Sequence, residues 1–266
     1  MLYHATEGRL PLGDTFMDYV AFGKGKQVLL LIPGLTLRGV KGAGLSLAWM
    51  YRLFAKDYRV YVFDRKEKIA AGCTIWDLAE DIASAMAALH LPCADVIGIS
   101  QGGMIAQALA IRHPALVNKL VLGVTAARVN PTIQRVVGGW VRAAENSDWH
   151  TINRESITLG YSEAYVRRYR LLLPLLERLV KPADGQRFIH LASSILTFDV
   201  WDELPQLRCP TLVLGGKQDK IVTGEASQEI AARLNCPLHL YDHLGHAAYD
   251  EARDFNQRIL AFLCSD

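Results

Sequence analysis

A mostly parallel, doubly wound α/β sheet is the fold class predicted by this chain, and three observations carry it. Short, continuous apolar runs recur at 28–32, 59–63, 94–99, 119–124, 211–214 and 238–241. Runs of that kind suit parallel strands covered on both faces. Helical patterns occupy the intervals at 45–55, 75–89, 102–113, 225–234 and 248–263. Strand and helix therefore alternate, which favours right-handed crossovers onto one sheet.

Taken in order, the run at 16–22 precedes this alternation and is expected to add an antiparallel edge. The helix at 75–89 opens with Thr74 and carries Asp77 three residues on, the signature of a capping box. The helix at 248–263 repeats Phe255, Ile259 and Phe262, a buried stripe. The interval from Val124 to Thr211 is far too long for a loop. It holds helix formers together with Trp140, Trp149, Tyr161, Tyr165, Tyr169, Phe188, Phe198 and Trp201. Residues 128–196 are read as a helical cap inserted after the strand near Val124, at the sheet edge where open α/β sheets bind ligands. Residues 1–127 and 197–266 then form the core. A separate packing domain is the alternative for the insert.

Composition narrows the function classes. A chain of 266 residues, 51% hydrophobic, with a net charge of +2 and no basic run interleaved with aromatics, gives no reason to expect nucleic acid. The longest apolar runs, 28–32 and 171–176, are too short to span a bilayer, and the second contains Pro174. No signal peptide is visible at the N-terminus. Five cysteines without a C-x-x-C pair are expected to be free thiols in a cytoplasmic protein. No metal or other cofactor is expected.

The most informative segment is Gly98-Ile99-Ser100-Gln101-Gly102, a G-x-S-x-G pentapeptide between a strand and a helical pattern. Such a turn holds the serine hydroxyl clear of the main chain, and the two glycines let strand and helix approach. The Gln101 N–H, at the start of the helix, points where an oxyanion would form. A nucleophilic serine needs a base, an acid to orient it and a second oxyanion donor, in the chain order Ser, acid, His. Asp219 follows the strand at 211–214, with Gly215 and Gly216 read as turning the chain outward. Asp199 and Asp202 are rivals, but they precede that strand. His246, freed by Gly245 ahead of the last helix, is preferred to His243, and His239 is read as a strand residue. The second donor is expected after 28–32, where Pro33-Gly34 would present the Leu35 N–H.

With these residues assembled, the chain resembles an α/β-hydrolase-fold serine hydrolase from Val28 to the last helix. The segments Ile99-Ser-Gln-Gly-Gly-Met-Ile-Ala-Gln107, Asp219-Lys-Ile-Val222 and Gly245-His-Ala-Ala-Tyr-Asp-Glu251 are similar to those of its esterase and enol-lactonase branch. The resemblance implies catalysis by Ser100, Asp219 and His246, with Leu35 and Gln101 as oxyanion donors, on a small ester-type substrate. Lactone, thioester and C–C bond hydrolysis use the same triad and stay open, as does a ligand-binding protein without turnover. Two departures stand out. Pro33-Gly34 replaces the common His-Gly, and Asp64-Arg-Lys-Glu-Lys-Ile-Ala-Ala-Gly72 replaces Asp-x-Arg-Gly-x-Gly. Arg167, Arg168 and Arg170 could hold a substrate carboxylate or simply form a solvated face. The oligomeric state is not readable.

Overall fold

The computed structural model describes residues 2–170, 181–182 and 184–265. The apolar run at 171–176 lies outside the described residues. Strands β1 (Thr6–Leu12) and β2 (Thr15–Phe22) form a hairpin, followed by β3 (Gln27–Ile32) and β4 (Tyr58–Lys66). Then come β5 (Ala94–Ile99), β6 (Val117–Gly123), β7 (Thr211–Gly216) and β8 (Leu238–Tyr241). One eight-stranded sheet results, in the order β1-β2-β4-β3-β5-β6-β7-β8. The hairpin is antiparallel and pairs antiparallel with β4, while every pairing from β4 to β8 is parallel.

The alternation of side chains along each strand divides the core into two layers. Leu30, Ile32, Val96, Leu120, Leu122 and Val213 face one side, where they meet Ile82, Met104 and Ile230. Leu29, Leu31, Ile97, Val121, Leu212 and Leu214 face the other, against Ala48, Phe255 and Ile259. The helices supplying those contacts are α1 (Gly44–Met50), α2 (Ile75–Ala88) and α3 (Gln101–Arg112) in the first half. Burying each large aliphatic residue contributes about 1.5–3 kcal/mol, so apolar packing adds to the main-chain ladder in fixing a strand such as β5, buried at every position.

Between β6 and β7 lie α4 (Pro131–Glu145), α5 (Trp149–Gly160), α6 (Glu163–Tyr169) and α7 (Gly185–Ile195). Where this segment leaves and rejoins the sheet, the backbones of Arg128 and Asp199 form an isolated antiparallel β-bridge, in which the Val200 N–H donates to the Ala127 carbonyl at 2.8 Å and the Val129 N–H donates to the Phe198 carbonyl at 3.0 Å. The chain closes with α8 (Gly224–Leu234), α9 (Ala248–Glu251) and α10 (Phe255–Leu263). Among the described residues no helix is long and apolar enough to cross a membrane.

Three expectations are adjusted. The helix expected over 45–55 is regular only to Met50 and ends in a tight turn at Arg52–Phe54. The helix expected over 248–263 breaks at Ala252, whose backbone is extended (φ −77°, ψ 116°), before Asp254 starts α10. Gly215 and Gly216 belong to β7 rather than to a turn, and a Cβ on Gly216 would lie 2.1 Å from the Gly245 carbonyl oxygen. The capping box at Thr74 forms as read, the Asp77 N–H donating to Thr74 Oγ1 and the Thr74 N–H to Asp77 Oδ2.

Candidate active site

The site grows from the carboxyl edge of the three central parallel strands. At the end of β5 the chain turns abruptly into α3, with Ser100 as the junction (φ 54°, ψ −121°), a left-handed conformation that a side-chain-bearing residue rarely adopts. Hydrogen bonds to the end of β6 hold it. The Ser100 N–H donates to Gly123 at 2.9 Å, and the Thr125 hydroxyl donates to the Ser100 carbonyl at 2.7 Å. The turn closes only because Gly102 has no side chain: a Cβ there would stand 1.9 Å from the Ile32 carbonyl oxygen. Val124, at the end of β6, is also left-handed (φ 45°) and fully buried, so backbone strain extends to the neighbouring strand end.

Asp219 follows β7, and its carboxylate is fixed from two sides. Oδ1 accepts the backbone N–H groups of Ile221 and Val222 at 2.8 and 2.9 Å. Oδ2 faces His246 Nδ1 at 2.7 Å. His246, on the loop after β8, places Nε2 2.9 Å from Ser100 Oγ. One imidazole thus spans a hydroxyl and a carboxylate whose side chain is only 1% exposed, the arrangement in which a base can take a hydroxyl proton while its cation is stabilised behind it. The rivals stand apart. Asp199 is exposed and accepts from the Trp201 N–H at 2.9 Å, Asp202 and His243 are exposed, and His239 packs edge-on against Tyr241 within β8.

The second arm of the site is the loop after β3. Gly34 lies against the serine, such that a Cβ would be 3.1 Å from Ser100 Cβ, and Leu35 follows it. Gln101, 1% exposed, begins α3 on the opposite side. A cavity of about 130 Å³ opens between them, lined by Leu35, Val40, Leu47, Arg65, Gln101, Arg187 and Leu191 among others. It adjoins a larger one of about 630 Å³ running toward Arg9, Phe16 and Lys181.

Two residues with a place in this site escaped the sequence reading. Arg65, 4% exposed, donates through Nη2 to the Pro33 carbonyl at 2.5 Å and to Gln101 Oε1 at 3.3 Å. Burial, opposed by the Asp64 carboxylate and reinforced by Arg187, draws its guanidinium down to about 10. Arg187 on α7 pairs with Asp64 at 3.0 Å and donates to the carbonyls of Arg65 and Lys66. Strand alternation was the available signal for Arg65, because it shares the inward side of β4 with Phe63. Arg167, Arg168 and Arg170 are exposed and line neither cavity.

The inserted segment contacts residues around the site. Gln101 Nε2 donates to the Leu191 carbonyl at 2.6 Å. The Gly160 carbonyl accepts the Ala247 N–H at 2.8 Å, next to His246, and Asn130 Nδ2 donates to Val222 at 2.8 Å, next to the Asp219 cradle.

The chain is similar to known proteins over most of its length. Residues 29–258 match the model of the alpha/beta hydrolase family. The putative carbamate hydrolase RutD of Rhizobium rhizogenes is 26% identical over 249 residues, covering 85% of this chain and 90% of that one. The 3-oxoadipate enol-lactonase 2 of Acinetobacter baylyi is 22% identical over 261 residues, 94% of each. Among solved structures, the enol-lactonase from Burkholderia xenovorans superposes with a TM-score of 0.85 at 21% identity, covering 97% of this chain and 100% of that one. The match across most of the sequence, on a sheet of this topology, makes the chain a member of the α/β-hydrolase family.

Proposed function

We propose that the chain is a serine hydrolase that cleaves a small carboxylic ester through an acyl-enzyme. The observation that carries this reading is the continuous path Ser100 Oγ–His246 Nε2 and His246 Nδ1–Asp219 Oδ2, at 2.9 and 2.7 Å. His246 takes the Ser100 proton as Oγ bonds to the ester carbonyl carbon. The carbonyl oxygen becomes an anion facing the Leu35 and Gln101 N–H groups, and collapse expels the alkoxide, which receives the proton from His246. Water then attacks the acyl-enzyme with His246 as base, and Ser100 leaves reprotonated. Asp219 stabilises the transient imidazolium.

Residues 128–196 act as the cap in this reading and residues 1–127 and 197–266 as the core. The support is that Leu191 and Arg187 from α7 line the cavity beside Leu35 and Gln101. Five free cysteines fit a reducing, cytoplasmic location. The names of the relatives widen the candidate substrates to carbamates and lactones.

Labelling by a fluorophosphonate, with turnover of a panel of p-nitrophenyl esters, lactones, acyl thioesters and carbamates, tests the proposal. Ser100 is expected to carry the label and at least one ester to be cleaved. Folded protein that neither labels nor cleaves any of them overturns the reading in favour of a ligand-binding role.

A further inference from the structure

An oxyanion loop needs rigid support, and Pro33 supplies none of its own: it has no N–H and no side-chain donor. Its carbonyl is held instead by Arg65 Nη2 at 2.5 Å. The same nitrogen reaches Gln101 Oε1 at 3.3 Å. A single guanidinium therefore touches both arms of the site, the loop that presents Leu35 and the helix start that presents Gln101. The rest of the Gln101 amide is fixed from the far side by the Leu191 carbonyl and by Ser194 Oγ at 3.3 Å.

The charge around Arg65 is as unusual as its position. Both acceptors it reaches, a peptide carbonyl and an amide oxygen, are neutral. The adjoining carboxylate of Asp64 is engaged by Arg187 at 3.0 Å and by the Val40 N–H at 3.0 Å. Among the described residues, Arg65 Nε is buried without a hydrogen-bond partner. Two guanidinium groups thus share one carboxylate at the wall of a cavity that also contains Leu35 and Gln101. A buried cation that must share its counter-charge is costly at rest and favourable when negative charge develops nearby.

We propose that Arg65 is the positioning residue of the oxyanion hole: it holds the Pro33–Leu35 loop and the Gln101 end of α3 at their working separation, and its charge is balanced when the tetrahedral intermediate forms. The assignment rests on the serine-hydrolase reading above. It assigns the task to β4, through a residue that the Asp-Arg-Lys sequence of this chain happens to carry in place of the family's pattern.

The test compares Arg65→Met, Arg65→Gln and Arg65→Lys with the parent on the p-nitrophenyl ester the parent cleaves fastest, with active sites counted by fluorophosphonate. Arg65→Met is expected to lose about 10²-fold in kcat per labelled site, as for the loss of an oxyanion donor, with KM little changed. Affinity for an alkyl trifluoromethyl ketone, which forms a tetrahedral adduct on the serine, should fall in parallel. Arg65→Lys should recover about tenfold of the loss, because it restores the cation without the fork. A merely structural role would lower the melting temperature and the number of labelled sites, leaving kcat per site and ketone affinity unmoved. That result overturns the assignment. If Arg65→Met does not fold, Arg65→Gln decides by the same criteria. A parent that neither labels nor turns over overturns the serine-hydrolase reading and this assignment with it. An active, labelled parent beside an unaltered variant overturns the role of Arg65 alone.

Discussion

The centre of the sheet and the helices inserted between β6 and β7 share an apolar core but reach the site differently. In β5 and β7 every residue is buried, and register alone sets Ile99 beside Gly123 and Gly123 beside Leu214. The strand ends that carry Ser100 and Asp219 are therefore aligned by main-chain hydrogen bonds and apolar packing. The inserted helices share one apolar cluster with the sheet through Ile133, Trp140, Phe188 and Leu191, and add separate polar contacts: Gln101 to Leu191, Arg187 to Asp64, Asn130 to Val222 and Ser162 to Glu251. Each such bond contributes about 0.5–1.5 kcal/mol net. On the proposed reading, the triad sits where geometry is hardest to disturb and the inserted helices add contacts that single substitutions can remove.

Substitutions at the sheet end should abolish turnover without loosening the fold. Ser100→Ala is expected to cost about 10⁴ to 10⁶ in kcat, read on the best ester, with the urea midpoint nearly unchanged. Asp219→Asn should lose about 10⁴ while still accepting the Ile221 and Val222 N–H groups. A loss below about tenfold would shift the acid elsewhere and remove the contrast. At the inserted helices the signature should reverse. Arg187→Ala breaks a largely buried ion pair and two carbonyl contacts, so stability should drop by about 2 kcal/mol in urea and kcat/KM should fall through KM. A fall in kcat at constant KM would show that α7 shapes the transition state as well as the binding wall. Ser162→Ala removes a bond to Glu251 and the N-cap of α6, with an expected cost of about 1 kcal/mol.

The smallest effect lies remote from both regions. Thr74→Ala should cost about 1 kcal/mol and leave kcat untouched. The Thr74 hydroxyl, then its N–H, hold the Asp77 carboxylate below its ordinary range. Its contribution is complete above the unfolded value of about 4 and fades as pH falls through the lowered one. The acid limb of the stability curve should flatten in Thr74→Ala, as chemical denaturation at several pH values would reveal.

Much of the sheet was legible because buried parallel strands leave continuous apolar runs, and the bounds of β5 and β8 agree with the sequence reading. Strand β1 left no such run: Gly8 and Pro11 interrupt it, and only an edge strand paired to β2 tolerates both. The break at Ala252 hid inside an apolar stripe that α10 continues in helical phase. Residue type and order single out Ser100, Asp219 and His246, but the bonds joining them depend on strand order that no local pattern encodes. Arg65 was hidden differently. Its alternation with Phe63 points inward, yet an arginine in a polar stretch reads as exposed until its acceptors, Pro33 and Gln101, are seen beside it.

The hydroxyl at residue 100 meets its imidazole across 146 residues of chain. During synthesis the elbow emerges long before its partner, and a serine without a base is a poor nucleophile at neutral pH. On the proposed reading, a chain ending short of β8 would carry the elbow but lack His246, and Ser100 would gain its base only when the loop after β8 docks.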